Sequence, residues 1–365
     1  MDQYQLEKFQ IINFRNLNND IIDFSSGINC IFGQNGNGKT NLLEAIYFLI
    51  NHKSFRKNTS FQQIISVECE EPEIIFSSVI KTENEKISYN GKVTNENSVW
   101  YQDNKQTKKK INLETIFINP FDSFSFHTTP SFRRNWVDTH LSKLSQEYKK
   151  ILSKFNTCLR FRNTLLVKKP AMYKDQIKSI NIQLAEYSFI LTRERKQFLR
   201  DIKEYCDLTF KIIFKESHNL ELELDSQFYN SSQDEILEFY NNSMESDLII
   251  GHTRKGVHRD DYVFNFDGFN SFEYCSLGQQ KMSFLSLIFA YIELFRYKFR
   301  SYPIVLIDDV SGELDERRWK SLISYLEAKK FQVLITTANE NFKKELEKIN
   351  FAQKIFVESG NFINS

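Results

Sequence analysis

One segment constrains this chain more than any other. Residues 33–40 read GQNGNGKT and match the phosphate-binding pattern G-x-x-x-x-G-K-[ST] at each fixed position. An apolar run typical of a buried strand precedes the segment, and a run typical of a helix follows it. Glycines let a backbone bend around phosphate oxygens, and the start of the next helix offers free N–H groups. The sequence therefore predicts a nucleotide site, with Lys39 reaching the β and γ phosphates and Thr40 binding Mg²⁺. Its candidate residues are Gly33, Gln34, Asn35, Gly36, Asn37, Gly38, Lys39, Thr40 and Asn41.

The composition is that of a globular intracellular protein. Its 365 residues predict two domains, or one domain carrying a large insert. Five scattered cysteines without a C-x-x-C pair indicate reduced thiols, which favours a cytoplasmic location. The longest apolar stretch, residues 284–295, is too short to span a bilayer and contains Glu293, so no membrane association is expected. The net charge of +1 argues against a uniformly basic nucleic-acid binder, although local patches are compatible with it.

The periodicity of apolar residues divides the chain into three parts. Residues 4–32 predict two strands, and residues 73–118 predict a β meander that ends with the strand 115–118. From Ser131 the spacing becomes helical, and two long amphipathic helices joined near Pro170 predict an antiparallel hairpin. After residue 250, strands and helices alternate, which is typical of a mostly parallel sheet. We expect an ATPase domain in residues 1–122 and 249–365, with a helical lobe, residues 123–248, inserted into it.

Charge is distributed unevenly in the inserted part. Residues 131–169 hold ten Lys and Arg against two acids, whereas residues 216–250 hold nine acids and no Lys or Arg. One interpretation is a solvated helix face balanced by an acidic neighbour. The other is a surface that follows the phosphates of a nucleic acid. The sequence leaves both interpretations open.

A second candidate site element follows the apolar strand 303–307. The strand ends in Asp308 and Asp309, and in phosphate-loop ATPases such a strand supplies carboxylates to the bound metal and water. We assign Asp308 to Mg²⁺ and Asp309 to activation of the attacking water, with Lys39 as its catalytic partner. Because an Asp is shorter than a Glu, hydrolysis is expected to be slow, which suits a switch better than a motor.

A third element, residues 276–280, reads SLGQQ at the start of a predicted helix. By itself this is an ordinary N-cap, with Ser276 as the cap residue. Its position before the carboxylate strand, however, is the order found in ABC-type ATPases, where an S-x-G-Q helix of one subunit closes over ATP held by another. We therefore add Ser276, Gly278 and Gln279 to the nucleotide-binding candidates, contributed by a second copy of the chain.

Together these motifs resemble the RecF family of bacterial recombination-repair ATPases, which are related to SMC-type heads. The matching segments are NFRN at 13–16, GQNGNGKTNLLEAI at 33–46, KSFR at 53–56, RR at 133–134, RFRN at 160–163, GVHRDD at 256–261, SLGQQK at 276–281 and DDVSGELD at 308–315. The resemblance implies an α/β fold: an ABC-type P-loop ATPase head with a β-meander lobe and an inserted helical-hairpin lobe. It also implies that Arg15 lies near the nucleotide phosphates and that Asp315 lies at the interface of an ATP-bound homodimer.

Three positions depart from the pattern of ABC-type ATPases. Residues 119–122, NPFD, stand in place of the usual Gln-containing loop, which puts its metal-sensing role in doubt. Thr336 and Thr337 stand where many relatives have a switch His, so phosphate sensing is expected to be weaker or to use a hydroxyl. Leu277 replaces the polar residue expected inside the signature.

The resemblance implies a DNA-dependent ATPase of weak turnover, acting with ATP and Mg²⁺ in recombinational repair and replication restart. It would dimerise on ATP, clamp duplex DNA, gapped DNA or a single-strand/double-strand junction, and help load recombinase with the partner RecR (and RecO). The alternatives are the ATPase subunit of an ABC transporter and a soluble P-loop kinase. The long stretch between Thr40 and Ser276, which holds the helical hairpin, disfavours the transporter, and the S-x-G-Q helix disfavours the kinase.

Overall fold

The computed structural model describes residues 4–67, 69, 71–119, 121–309, 315–329 and 331–364. The chain divides into two compact units. The first comprises Met1–Asp122, Ile212–Lys215 and Phe295–Ser365, and the second comprises Ser123–Lys211 and Glu216–Leu294. The second unit therefore includes residues 249–294, which the sequence grouped with the ATPase domain. The functional boundary at residue 249 stays a prediction.

A six-stranded sheet forms the centre of the first unit, with strand order β15-β14-β3-β13-β12-β8. The strands are β3 (Ile28–Phe32), β8 (Thr115–Ile118), β12 (Ile304–Asp308), β13 (Val333–Thr337), β14 (Gln353–Glu358) and β15 (Asn361–Asn364). All neighbours pair in parallel except β15, which is antiparallel to β14. Every residue of β3, β12 and β13 is buried, as expected of strands covered on both faces. The predicted parallel α/β sheet is confirmed.

The placement of β8 corrects one expectation. The sequence assigned residues 115–118 to the end of the meander, but β8 pairs in parallel with β12, with Thr115 opposite Ile304. The reason is burial: three of its four residues are buried, which matches a strand of a parallel sheet covered on both faces better than a strand with one exposed face.

A second sheet of the first unit is antiparallel, in the order β2-β1-β4-β5-β6-β7. Its strands are β1 (Gln5–Ile12), β2 (Ile22–Asp23), β4 (Ile74–Lys81), β5 (Lys86–Val93), β6 (Ser98–Gln102) and β7 (Lys105–Thr107). Burial alternates along β4, so this sheet packs one face on the core. The meander is confirmed, with two additions: β1 pairs with β4, and β2 makes three strands in residues 4–32 where two were predicted. The helices of this unit are α1 (Lys39–Asn51), α2 (Phe61–Ile64), α11 (Glu316–Ala328) and α12 (Glu340–Glu347).

The second unit is mainly helical, with a small antiparallel sheet in the order β11-β10-β9. Its elements are α3 (Asp122–Thr128), α4 (Pro130–Leu144), α5 (Gln146–Lys168), α6 (Tyr173–Phe214), β9 (Leu220–Asp225), α7 (Gln233–Asn242), α8 (Met244–Ile250), a 3₁₀ turn (Val257–Arg259), β10 (Asp261–Phe266), β11 (Phe269–Asn270), α9 (Ser271–Tyr274) and α10 (Leu277–Phe299). Helices α3, α6 and α10 each extend across a boundary between the two units.

The hairpin has an extra break. The apolar spacing predicted one helix from Ser131 to the region of Pro170, but the helix ends at Leu144 and restarts at Gln146. Ser145 takes an extended conformation between them, and its Oγ accepts a hydrogen bond from the Tyr148 N–H at 3.1 Å. A serine that caps the next helix stabilises such a break. Beyond it, α5 and α6 pack together through Leu165, Leu166 and Ile177, so the predicted hairpin is formed by α5 and α6.

Candidate nucleotide-binding site

The phosphate loop joins β3 to α1 in the first unit, as predicted. Two glycines are required by its geometry. A Cβ on Gly33 would lie 2.4 Å from the carbonyl oxygen of Val357, and Gly38 caps α1 in a left-handed conformation with φ of 108°. Any side chain at either position would force the loop away from its neighbours or strain its backbone. The loop can therefore approach a ligand with its backbone N–H groups.

Lys39 lies inside the loop. Its ammonium donates hydrogen bonds to the carbonyl oxygens of Gly33 at 2.8 Å and Gln34 at 3.0 Å. The residue is 7% exposed. Burial lowers the pKa of Lys39, while the neighbouring Asp309 and Asp308 oppose the shift. The loop thus places a cation at the point around which its backbone curves.

Thr40 and Asp308 meet beside this loop. The Thr40 hydroxyl donates to both carboxylate oxygens of Asp308, each at 2.9 Å. Asp308 is the last residue of β12 and is buried, and burial raises the pKa of its carboxyl while its hydrogen bonds oppose the shift. A hydroxyl and a carboxylate are the hard oxygen donors that Mg²⁺ prefers. The structure brings the two predicted metal ligands together, and their donor set fits the ion.

Thr336, on the neighbouring strand β13, positions the Asp308 carboxylate. The sequence did not predict this role. The Thr336 hydroxyl donates to Asp308 at 2.8 Å and accepts from the Asp309 N–H at 3.1 Å. Asp309 itself has φ of 39°, a left-handed conformation rare for a non-glycine residue. The Thr337 hydroxyl reaches the Asp309 carboxylate at 3.5 Å. Two threonines at the end of β13 therefore orient both carboxylates that follow β12.

Arg15 lies beside α1 and is bound to a glutamate of that helix. It donates through Nε and Nη2 to the Glu44 carboxylate at 3.0 and 2.9 Å, and Glu44 is fully buried. Ser54 also donates to Glu44 at 2.6 Å, and Arg56 lies 3.3 Å from it. The predicted contact of Arg15 with nucleotide phosphates stays a prediction.

The group of side chains around Glu44 is connected to the phosphate loop by hydrogen bonds of side-chain amides. Arg56 donates to Asn41 at 2.9 Å, Asn41 to Asn16 at 2.7 Å, and Asn16 to the Gly36 carbonyl at 3.1 Å. The sequence of residues 53–56 indicated a family resemblance but predicted no role for Ser54 or Arg56. The sequence did hold one signal for this contact. Glu44 lies within the apolar run of residues 41–50, and an acid that becomes buried in such a run needs a partner.

The signature segment lies in the second unit. Ser276 and Gln279 cap α10 reciprocally: the Ser276 N–H donates to Gln279 Oε1 at 2.9 Å, and the Gln279 N–H donates to Ser276 Oγ at 3.3 Å. Ser276 and Leu277 are exposed, so the start of the helix faces solvent. The N-cap interpretation is confirmed. The contribution of Ser276, Gly278 and Gln279 to a second copy's nucleotide stays a prediction.

Two further expected elements are partly described. Asp315 caps α11 by accepting from the Arg318 N–H at 2.9 Å, whereas residues 310–314 of the same segment lie outside the described residues. In the 119–122 segment, Pro120 also lies outside them. Burial raises the pKa of Asp122 to about 6, which gives that loop a carboxyl of unusual basicity. The interface role of Asp315 stays a prediction.

Comparison with known proteins agrees with this geometry. Residues 5–358 match the family model described as RecF/RecN/SMC N terminal domain. The DNA replication and repair protein RecF of Streptococcus suis is 30% identical over 369 residues, covering 99% of each chain. The chain belongs to the RecF family. The solved recombination mediator protein RecF-ATPrS of the RecFOR pathway is similar over 100% of this chain and 98% of its own, with a TM-score of 0.83 and 25% identity.

RecF membership decides several open points. An Smc head domain of Pyrococcus furiosus covers 100% of this chain at 12% identity and a TM-score of 0.59, which supports the predicted relation to SMC heads at the level of fold. The transporter alternative is wrong, because the relatives are DNA replication and repair proteins.

Among the described residues, no helix has the length and apolarity needed to cross a membrane. The five cysteines, all described, are free thiols.

The GVHRDD segment, residues 256–261, has a structural role in the second unit. Asp260 is 3% exposed and accepts a hydrogen bond from Arg195 Nη1 at 2.8 Å. Asp261 accepts two hydrogen bonds from Arg133, each at 2.8 Å. These carboxylates tie β10 and the preceding turn to α4 and α6. Both carboxylates are therefore partners of internal ion pairs.

Proposed function

We propose that this RecF-family chain is an ATP-dependent DNA-binding switch of recombinational repair and replication restart. The observation that carries the proposal is the contact of Thr40 with Asp308 beside a phosphate loop that encloses the Lys39 ammonium. A site with these three groups binds a nucleoside triphosphate together with a divalent cation. The RecF relatives supply the DNA-repair context.

The residues of the site have distinct tasks in this proposal. Backbone N–H groups of the loop and the Lys39 ammonium bind the phosphates, while the Thr40 hydroxyl and the Asp308 carboxylate hold Mg²⁺. Mg²⁺, when bound, neutralises phosphate charge during the reaction. Thr336 keeps the Asp308 carboxylate in place, and Asp309 takes a proton from the attacking water. An aspartate in that position is expected to make turnover slow, so ATP acts mainly by binding.

Binding of ATP is proposed to drive homodimerisation. Ser276 is exposed at the N-terminus of the 23-residue helix α10, where a helix dipole and free N–H groups favour an anion. In the proposed dimer, Ser276, Gly278 and Gln279 of one copy contact the γ-phosphate held by the other copy. The dimer would enclose duplex or gapped DNA, or a single-strand/double-strand junction, in the cytoplasm. RecR, with RecO, is the proposed protein partner.

The proposal is tested by ATPase rates with and without duplex DNA, and by light scattering with and without ATP. We expect DNA to stimulate hydrolysis and ATP to double the mass. The Lys39→Met variant should lose nucleotide binding. The Ser276→Arg variant should keep nucleotide binding and lose the dimer.

A matched control separates the proposed role of Ser276 from its cap. Ser232 is also exposed in the second unit and caps α7 reciprocally with Glu235. A Ser232→Arg variant loses a comparable cap, which costs about 1 kcal/mol, and should still dimerise with ATP. Equal dimerisation by both arginine variants would reject the trans role. A wild-type protein that neither dimerises with ATP nor responds to DNA would reject the function.

A further inference from the structure

We infer that the exposed face of α5 is the surface that contacts the DNA phosphates, an inference that rests on the proposed DNA-binding function. The sequence showed ten basic residues between 131 and 169 but could not tell which of them face solvent. Seven of the ten fall into two groups. Two form internal ion pairs, and five are exposed along one side of α5.

The internal group consists of arginines. Arg162 is fully buried and donates to Asp247 at 2.7 Å. Arg133 is paired with Asp261 at 2.8 Å, and its side chain is 12% exposed. Neither guanidinium is available to a ligand. The basic character of this region therefore depends on the remaining cations.

The exposed group lies on one side of α5, which we call the α5 face. Its members are Lys149, Lys150, Lys154, Arg160 and Lys168. At about 100° per residue, these five side chains fall within an arc of about 140°, opposite the buried Tyr148, Phe155 and Leu166. At 1.5 Å per residue, the face is about 28 Å long. A basic face of that length spans about eight base pairs of a duplex backbone.

The charges of the α5 face are uncompensated among the described residues. No ion pair involves any of the five, and the single acid of α5, Glu147, lies in its first turn. Lys154 lies over the ring of Tyr187 at 6.0 Å, a contact that leaves its charge intact. A face with five cations and one acid at its end attracts a polyanion.

A second basic row on the same unit is different. Arg193, Lys196, Arg200 and Lys203 also share one side of a helix, α6. However, Arg193 pairs with Glu194, Lys203 pairs with Glu221 at 3.0 Å, and Lys196 donates to the Tyr229 carbonyl at 2.8 Å. Arg200 donates to Gln197 at 2.5 Å. These partners neutralise the row or hold its side chains in place. Two rows of similar composition thus differ in available charge, which assigns phosphate contact to the α5 face.

The test compares two triple variants of the full-length protein. Lys149→Ala/Lys150→Ala/Lys154→Ala removes three charges from the α5 face, and Arg193→Ala/Arg200→Ala/Lys203→Ala removes three charges from the α6 row. Binding of each to a fluorescent duplex of about 20 base pairs is measured by anisotropy, with ATP, between about 50 and 200 mM salt. Thermal melts and ATP-dependent dimerisation show that both variants fold.

Each phosphate contact contributes about 0.9 to the slope of log K against log salt, so the α5 variant should lose about 2.7 of slope. Over a fourfold salt range, the ratio of wild-type to variant affinity should change by about 40-fold. The α6 variant should keep the wild-type slope. Equal losses in both variants would show that only total charge matters, and an unchanged α5 slope would place the DNA elsewhere; either result overturns the inference. Failure of the wild-type protein to bind DNA would instead reject the proposed function.

Discussion

Replacement of Arg162 by Met tests whether the internal ion pair stabilises the second unit. The guanidinium is fully buried and donates to Asp247 at 2.7 Å, to Thr253 at 2.6 Å and to Asn181 at 2.8 Å. Methionine fills much of the same volume but leaves the Asp247 carboxylate, which is 1% exposed, with weaker partners. Those are the Arg254 N–H at 3.2 Å and the Ser243 hydroxyl at 3.4 Å.

The expected cost follows from the charge left behind. Removal of one partner of a buried ion pair costs about 3–5 kcal/mol, since the other charge remains without compensation. For a unit of this size, that lowers the melting temperature by about 10 °C. Circular dichroism melts of Arg162→Met measure the change. The exposed Lys168→Met, on the same helix, is the control and should change stability by less than about 0.5 kcal/mol.

A double variant decides whether the pair or the volume causes the loss. Asp247→Asn removes the charge that Arg162→Met strands, so the double variant should be less destabilised than the sum of the two single variants. Additive losses would refute the argument from an uncompensated charge. So would an Arg162→Met protein that melts with the wild type.

Three further predictions concern the site, the pH response and the loop. Thr336→Val should raise the Mg²⁺ concentration needed for half-maximal ATPase roughly tenfold, since a hydrogen bond to a charged group contributes about 1.5–3 kcal/mol, whereas Thr336→Ser should restore it; an unchanged Mg²⁺ dependence would contradict the positioning role. Burial lowers the pKa of His258 from 6.5 to about 4, so between these values the unfolded chain binds the extra proton and stability falls as pH drops. Denaturant unfolding of His258→Gln should show a pH slope smaller by up to about 1.4 kcal/mol per unit, and an identical slope would count against this. Gly33→Ala places a methyl 2.4 Å from the Val357 carbonyl oxygen and should abolish binding of a fluorescent ATP analogue, while Gly27→Ala, with nothing within 4 Å, should bind normally. Normal binding by both would contradict the tight approach.

The sequence predicted the elements whose signals are local. The phosphate loop, the fully apolar strands and the Asp308–Asp309 pair each lie within a few consecutive residues, and their contacts follow from known chemistry. The pairing of β8 with β12 was missed because its partner lies far along the chain, at Ile304–Asp308, and a short apolar run does not specify a sheet. The break at Ser145 was missed because the apolar spacing continues through it, from Leu144 to Tyr148.

The missed contacts of the site cross between elements. Thr336 acts on Asp308 because β13 lies beside β12, with Asp308 and Thr336 in register. Glu44, on α1, accepts hydrogen bonds from Arg15, which lies 29 residues earlier in the chain. Neither contact leaves a pattern in consecutive residues. The only trace of the first is a pair of threonines at the end of a buried strand, where hydroxyls can serve as positioning groups.

For the basic residues, the choice of arginine or lysine indicates burial or exposure better than position along a helix does. In the described chain, the cations that are less than a tenth exposed are Lys39, Arg162 and Arg195. Both arginines donate to carboxylates, as suits a planar group with five donors. The exposed α5 face is mostly lysine, a strongly hydrated ion. Lys39 departs from both tendencies: it is a buried lysine whose hydrogen bonds go to two neutral carbonyl groups. A buried ammonium held only by carbonyls keeps its charge available to an anion, so the exception marks the functional site more sharply than the loop pattern alone.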